Sequence, residues 1–206
     1  MAAGLRLGAP LVRPHSCICG GQVDSLGLHG LSCKRSAGRQ RRHVQANGVL
    51  ARAFRAAEVT VELEPRHLLT NNDKRPDGAT VDLWRRGKAL VWDFTCPDTL
   101  AASYIASSAS RPGAAAARAE HNKRAKYSQL LSSGEHQFYP VAIETLGTWG
   151  ESAAELCKDL GALLAQITGD PRSHQFLKQR LGLAVQRGNA ASVAGTFPSG
   201  DSVHQL

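Results

Sequence analysis

Three cysteines and one histidine crowd a single short stretch in the spacing Cys17-x-Cys19-x9-His29-x3-Cys33. No other feature restricts the backbone as strongly, because four ligands this close in sequence converge only through tight turns. Gly20, Gly21, Gly27 and Gly30 lie among them and permit those turns. Three thiolates and one imidazole complete a tetrahedral zinc shell. A shell filled by four protein ligands is closed, so a structural Zn²⁺ is expected and not a catalytic one. His15 is an alternative fourth ligand. The segment has few large apolar side chains, so metal binding is expected to supply its folding free energy. Cys96 and Cys157, the rest of the five cysteines, have no close partner in sequence. An odd count clustered in this way fits a reducing compartment and a metal site better than a disulfide framework.

The formal net charge is +8, and the basic residues are concentrated. Lys34, Arg35, Arg39, Arg41, Arg42 and His43 fall within ten residues, and His121, Lys123, Arg124 and Lys126 form a second cluster. Such patches attract phosphate backbones through counterion release, so a nucleic-acid partner is expected. Hydrophobic residues make up 42% of the chain and charged residues 20%, which argues against global disorder. No apolar run is long enough for a transmembrane helix, and no membrane partner is expected. Arg6 and Arg13 interrupt any signal-peptide core, so the chain is expected to be intracellular and not secreted.

The hydrophobic pattern divides the chain into an irregular lead-in over 1–14, a knuckle over 15–36, a main domain over 37–194 and a flexible tail over 195–206. A helix is expected from about Arg39 to Ala57, with Val44, Ala51 and Phe54 on one side. Val59 to Glu64 alternates apolar and acidic residues and predicts a strand, stopped by Pro65. Residues 66–76, with Asn71, Asn72, Asp73 and Pro76, predict a loop. Ala79–Trp84 and Ala89–Cys96 predict a hairpin turning at Arg85-Arg86-Gly87-Lys88. Residues 97–113, rich in Ser, Ala and Pro, predict a flexible loop with room for one short turn of helix. A helix from about Pro112 to Leu131 follows, then a strand over Gln137–Leu146. Pro140 places that strand at an edge or makes it irregular. Two helices close the domain, over about Glu151–Ile167 and from Asp170-Pro171 to about Val193. The order helix, three strands, helix, strand, helices predicts an α/β fold with a small mixed sheet flanked by helices.

Arg75-Pro76-Asp77-x15-Asp93 is the strongest candidate for chemistry. Carboxylates on adjacent short strands can converge on divalent cations, as phosphodiester cleavage requires. Asp77 alone is ordinary turn chemistry. Asp93 is harder to dismiss, because it stands in the apolar run Ala-Leu-Val-Trp-Asp-Phe-Thr-Cys and must be exposed, paired or metal-bound. With a two-residue turn at Arg86-Gly87, Asp82 shares a face with Asp93 and is a candidate third ligand. Glu62, Glu64 and Glu144 are further acids that the sequence does not rank.

These motifs together resemble the PD-(D/E)XK nucleases, and more closely the restriction-like endonucleases of site-specific non-LTR retrotransposons. That subfamily shows a Cys-Cys-His-Cys knuckle, a Gly-Arg…Arg-His stretch, an Arg/Lys-Pro-Asp step, a second acid and a Lys-Tyr step in a later helix. The present sequence has the knuckle, Gly38-Arg39 with Arg42-His43, Lys74-Arg75-Pro76-Asp77, Asp93 and Lys126-Tyr127. The resemblance covers about residues 15–146. It departs from the superfamily at Thr95, two residues after the second acid, where a lysine is usual. The subfamily moves that lysine to the next helix, which makes Lys123 and Lys126 the candidates. On a helical wheel Lys123 falls in the middle of the inward stripe and Lys126 at its edge.

The resemblance implies a PD-(D/E)XK core with an N-terminal zinc knuckle and C-terminal helices. It implies Mg²⁺- or Mn²⁺-dependent hydrolysis of DNA, with Asp77, Asp93 and Asp82 as metal ligands and Lys123 or Lys126 as the catalytic cation. Lys34, Arg35, Arg39, Arg41, Arg42, His43, Arg75 and Tyr127 would contact DNA. It further implies a nuclear or otherwise intracellular location, the RNA of the element as a second nucleic acid, and a reverse transcriptase that is not among these residues. The chain is then a fragment, an isolated domain or a relic. Two other readings stay open: a non-catalytic zinc-dependent nucleic-acid-binding module, and a PD-(D/E)XK nuclease of another DNA-processing pathway.

Overall fold

The computed structural model describes residues 1–66, 68 and 75–197. The chain begins with α1 (Ala2–Leu7), the two-stranded hairpin β1 (His15–Ser16) and β2 (Gln22–Val23), the single turn α2 (His29–Ser32) and the long α3 (Gly38–Ala56). Next come β3 (Val61–Leu63), β4 (Gly78–Arg85) and β5 (Lys88–Thr95). They are followed by α4 (Ile105–Ser110), α5 (Ala114–Lys126), α6 (Ser128–Ser132), β6 (His136–Ala142), α7 (Glu151–Thr168) and α8 (Ser173–Ala194).

The main sheet has the order β3-β4-β5-β6 and is mixed: β5 pairs parallel with β6, while the other neighbours are antiparallel. The β4–β5 turn places both Arg86 (φ 53) and Gly87 (φ 68) in the left-handed region, the type I′ geometry whose twist matches a hairpin. Pro140 sits on β6 at the sheet edge, where a missing ladder donor is tolerated.

β5 is buried on both faces. Leu90, Trp92 and Phe94 pack with Phe54 of α3, Leu156 and Leu160 of α7, and Leu177 and Leu181 of α8. Fully burying a side chain of this size contributes roughly 1.5–3 kcal/mol. Val91 joins Ala79 and Phe138 against Tyr127 and Leu130 on the opposite face. Alternate residues share a face, so Asp93 projects to that opposite side, toward α5. There Ala116 and Ala119 pack on Ala142, and their small side chains let α5 approach the sheet closely. Glu120 of α5 reaches the start of α7, where its carboxylate accepts the N–H groups of Ser152 and Ala153, both at 3.3 Å. Burial raises the Glu120 carboxyl above the usual carboxylate range.

Several expectations change. The lead-in is not irregular, because it carries α1. Leu5, Leu11 and Val12 join Cys17, Val23, Leu31, Cys33 and Val193 of α8 in one apolar cluster. The start of the tail is also packed: the Ile18 N–H donates to Thr196 O at 3.3 Å, and Phe197 stacks on His15 with ring centroids 4.0 Å apart. Residues 198–206 of the expected tail, and Asn71, Asn72, Asp73 and Lys74 of the expected loop, lie outside the described residues. Val44 is exposed and not on the core side of α3. The helix expected to reach Leu131 breaks at Tyr127 (φ −109), where the buried ring is drawn onto Phe138. The last helix starts at Ser173, because Asp170 first closes a turn, its carboxylate accepting the Arg172 N–H at 2.9 Å.

α3 and α8 cross closely because Gly38 lies against the backbone of Ser192, and a Cβ at Gly38 would collide with the Ser192 nitrogen. Gly38→Ala should therefore cost about 1–3 kcal/mol by overpacking. A thermal melt checks this, with an expected fall of about 2–4 °C per kcal/mol for a chain of this size.

Candidate functional site

Cys17 directly follows β1, and Cys19 lies in the turn to β2, closed by the Cys17 N–H to Gly21 O bond at 2.8 Å. His29 opens α2 and Cys33 ends it. The ligand atoms of Cys17, Cys19, His29 and Cys33 all lie within 4.8 Å of one another, so the group can hold a metal ion such as zinc. Cys17 Sγ is 3.7 Å from Cys33 Sγ, and Cys19 Sγ is 3.2 Å from His29 Nε2. For comparison, a tetrahedral shell with Zn–S bonds of about 2.3 Å has edges of about 3.7 Å. The Gly21 N–H donates to Cys19 Sγ and lowers that exposed thiol to about 7, whereas burial pushes the Cys17 thiol up to about 11. His15 is not a ligand. Its Nδ1 lies 2.8 Å from Arg13 O and its Nε2 2.9 Å from Thr196 Oγ1.

A second cluster forms at the end of β5. Asp77 immediately precedes β4 and is placed by its N–H bonding Trp92 O at 3.0 Å. Its Oδ2 accepts the Phe94 N–H at 2.6 Å, which brings the carboxylate beside Asp93. His43 Nε2 of α3 lies 2.9 Å from the same oxygen. That hydrogen bond, with attraction from Asp77 and Asp93, raises the His43 pKa despite its partial burial. Asp93 is only 2% exposed, and Lys123 Nζ bonds its Oδ1 at 2.5 Å. Lys126 Nζ is 3.8 Å from Asp93 Oδ2 and donates to Tyr127 Oη at 2.8 Å. The wheel placement of Lys123 as the more inward lysine agrees with these distances.

The cluster opens into a cleft between the knuckle, α3 and α5. One part, about 420 Å³, is lined by Lys34, Arg39, His43, Thr95 and Lys123 among others. An adjoining part, about 430 Å³, shares Arg39, Thr95 and Lys123 and extends to Leu31, Tyr104, Asn122 and Lys126. The knuckle segment is thus one wall of the cleft that His43 and Lys123, the partners of the two acids, also line.

Several expected site residues lie elsewhere. Asp82 is not at the cluster. A register irregularity between Ala79 and Leu83 turns it to the β3 side, where its Oδ2 accepts the Thr60 N–H at 3.0 Å. Glu62 and Glu64 are exposed at the β3 edge, with β4 between them and β5. Glu144 is buried, and its oxygens accept the Ala116 N–H and the Thr99 hydroxyl, both at 3.0 Å. Arg42, expected as an exposed DNA contact, is instead buried beneath the cleft wall. It is 3% exposed and donates to Leu31 O at 2.7 Å and Asn189 Oδ1 at 2.6 Å, tying the knuckle and α8 to α3. Tyr127 is fully buried, with its hydroxyl donating to Arg75 O at 2.7 Å, so it braces the approach to Asp77. Burial raises the Tyr127 phenol above its ordinary range. Arg35 is exposed but held on the knuckle through Ile18 O at 3.1 Å, while Arg41 and the Arg75 side chain are exposed.

The His43–Asp77 pair is not among the sequence expectations, which place His43 with the DNA contacts. A signal for it does exist. His43 and Asn47 are polar, four residues apart and on the inward side of α3, where Asn47 accepts the Trp92 Nε1–H at 3.0 Å and its Nδ2 lies 3.4 Å from His43 Nδ1. No family model and no curated protein matches the chain.

Protein purified under reducing conditions should carry about one zinc ion per chain, and Cys33→Ser should lose it. Elemental analysis measures this, with limited proteolysis reporting cleavage within 15–36 once the metal is removed. Metal-free protein that still resists cleavage there would contradict the assignment. In metal-free protein the His43 ring should titrate above the ordinary value of about 6.5, and Asp77→Asn should bring it down. The ion pair is intact below the ordinary histidine pKa and is lost as pH rises through the raised one. Histidine NMR titration reads both effects.

Proposed function

We propose that this chain is a metal-dependent DNA endonuclease of the PD-(D/E)XK type, like the restriction-like enzymes of site-specific non-LTR retrotransposons. The observation that carries this reading is a pair of nearly buried carboxylates, Asp77 held by His43 and Asp93 held by Lys123, whose two basic partners line a cleft rich in Lys and Arg. The element order supports it too: α3, then antiparallel β3, β4 and β5, then α5 and the parallel β6.

Hard carboxylate oxygens suit Mg²⁺ or Mn²⁺. The donor set fits such an ion: Asp77 commits only Oδ2 to His43 and Phe94, and its Oδ1 forms no hydrogen bond among the described residues. Asp77 and Asp93 would hold the ion, which supplies a water of lowered pKa and offsets charge on the phosphate. Lys123 would orient the attacking water or stabilise charge on the phosphate oxygens. Lys34 and Arg39 draw the DNA backbone into the cleft, and His43 orients Asp77. Zn²⁺ in the knuckle is structural and sets one wall of the cleft. In such elements the nick supplies a 3′ hydroxyl to a reverse transcriptase copying the element's RNA, and these partners and a nuclear location belong to the same proposal.

One observation favours a second reading, a zinc-dependent nucleic-acid-binding module. Both acids are already neutralised within the chain, by His43 and by Lys123. Metal dependence separates the two: the nuclease nicks only with an exchangeable divalent ion, and the binder never nicks.

Supercoiled plasmid with Mg²⁺ or Mn²⁺ should be nicked by the wild type. Asp77→Ala and Asp93→Ala should abolish nicking and leave DNA affinity nearly unchanged, because affinity comes from Lys and Arg. Lys123→Ala should reduce turnover on the order of 100-fold, and Lys126→Ala should reduce it less. Full activity in either Asp variant would refute the nuclease.

A further inference from the structure

Away from the catalytic cleft, a cavity of about 600 Å³ lies between α3 and α8. Val44, Leu183, Arg52, Arg180 and Arg187 line it. A second opening of about 250 Å³ shares Val49, Arg52 and Arg180 and continues the groove to Phe176 and Ala56. Arg52 lies nine positions after His43, which turns it to about the opposite side of α3 from the acids. The groove therefore belongs to neither the acid cluster nor the knuckle.

Its chemistry is two-sided. Val44 is 58% exposed, Leu183 54% and Phe176 39%. Among the described residues Arg52, Arg180 and Arg187 form no hydrogen bond or ion pair. Asp170, the acid at the far end, is already paired with Arg172. Phe176 and Arg180 are four residues apart on α8, as are Leu183 and Arg187, so apolar and cationic groups alternate along one helix face.

We propose that this groove docks an acidic amphipathic helix of a partner protein. Apolar residues of the partner would cover Val44, Leu183 and Phe176 while its carboxylates meet the three guanidinium groups. Phosphates alone would leave the apolar floor in water, and a groove whose cations are all arginine matches the composition of protein interfaces, where lysine is depleted. A second copy meeting face to face would set arginines against arginines on chains of net charge +8. The thirteen residues from Val44 to Ala56, twelve helical steps, give the groove a length of about 18 Å, which suits a partner helix of about three turns.

The test uses a fluorescent peptide of about 15 residues, with leucines at i, i+3, i+4 and i+7 and glutamates elsewhere. Its anisotropy is titrated with the full chain, and a labelled DNA duplex is run in parallel. The peptide should bind saturably to the wild type. The double variant Arg180→Glu, Arg187→Glu and the single variant Leu183→Asp should each weaken peptide binding about tenfold or more, at unchanged melting temperature. Leu183 is exposed, so Leu183→Asp alone decides the matter if the double variant does not fold. No saturable binding to the wild type, or undiminished binding to the folded variants, overturns the proposal. Loss of duplex affinity in the charge-reversed variant with peptide binding intact would overturn it in favour of a nucleic-acid track.

Discussion

A carboxylate on a strand buried on both faces needs a partner, because removing its charge from water without compensation costs more than a small domain can spare. Asp93 meets this requirement through Lys123, and the pairing fixes the placement of α5 across the end of β5. Two more buried carboxylates act on the same helix. Glu144 accepts the Ala116 N–H near its start, and Glu120 projects from its middle to cap α7. Apolar packing contributes less here, since α5 presents mainly alanines to the sheet. Its position is set by polar contacts that work only in one geometry, and that geometry brings the lysine to the acids.

Arg42 plays a comparable part on the other side of the cleft. Its guanidinium is buried and shared between Leu31 O of the knuckle segment and Asn189 of α8. The knuckle is therefore not a bead on a tether. It shares an apolar cluster with α1 and the end of α8, and it contributes Leu31, Ser32 and Lys34 to the cleft lining. Side-chain burial acts on the same turns that bring Cys17, Cys19, His29 and Cys33 together, so the candidate metal site and the cleft wall are held together.

α3 presents different chemistry on its two sides. One side brings His43 and Asn47 to the sheet, with Asn47 held by Trp92. The other carries Arg52 over an open groove shared with α8. A helix placed between a sheet and a neighbouring helix buries a wide stripe and still leaves a polar edge on each flank, so one element can serve two surfaces.

Much of this was legible in the residue order. Period-two and helical patterns located the main sheet strands and the long helices, the Arg86-Gly87 turn located the hairpin, and the cysteine–histidine spacing located the knuckle ligands. An acid in the middle of an apolar strand marked Asp93, and the helical wheel ranked Lys123 above Lys126. These features are local: each depends on residues a few positions apart and on backbone geometry that repeats. What sequence could not assign was the partner of each polar group. Asp82 and Asp77 are both acids on the hairpin, but a register irregularity turns one to β3 and leaves the other beside Asp93. Arg42 and Arg39 are both arginines of one basic run that reach the cleft wall, yet Arg42 is buried with its guanidinium committed to Leu31 O and Asn189 while Arg39 is exposed. Such choices depend on which distant segment packs above a residue, and that is decided only when the whole chain has folded, because desolvation and hydrogen-bond geometry are properties of the packed structure and not of the neighbours in sequence.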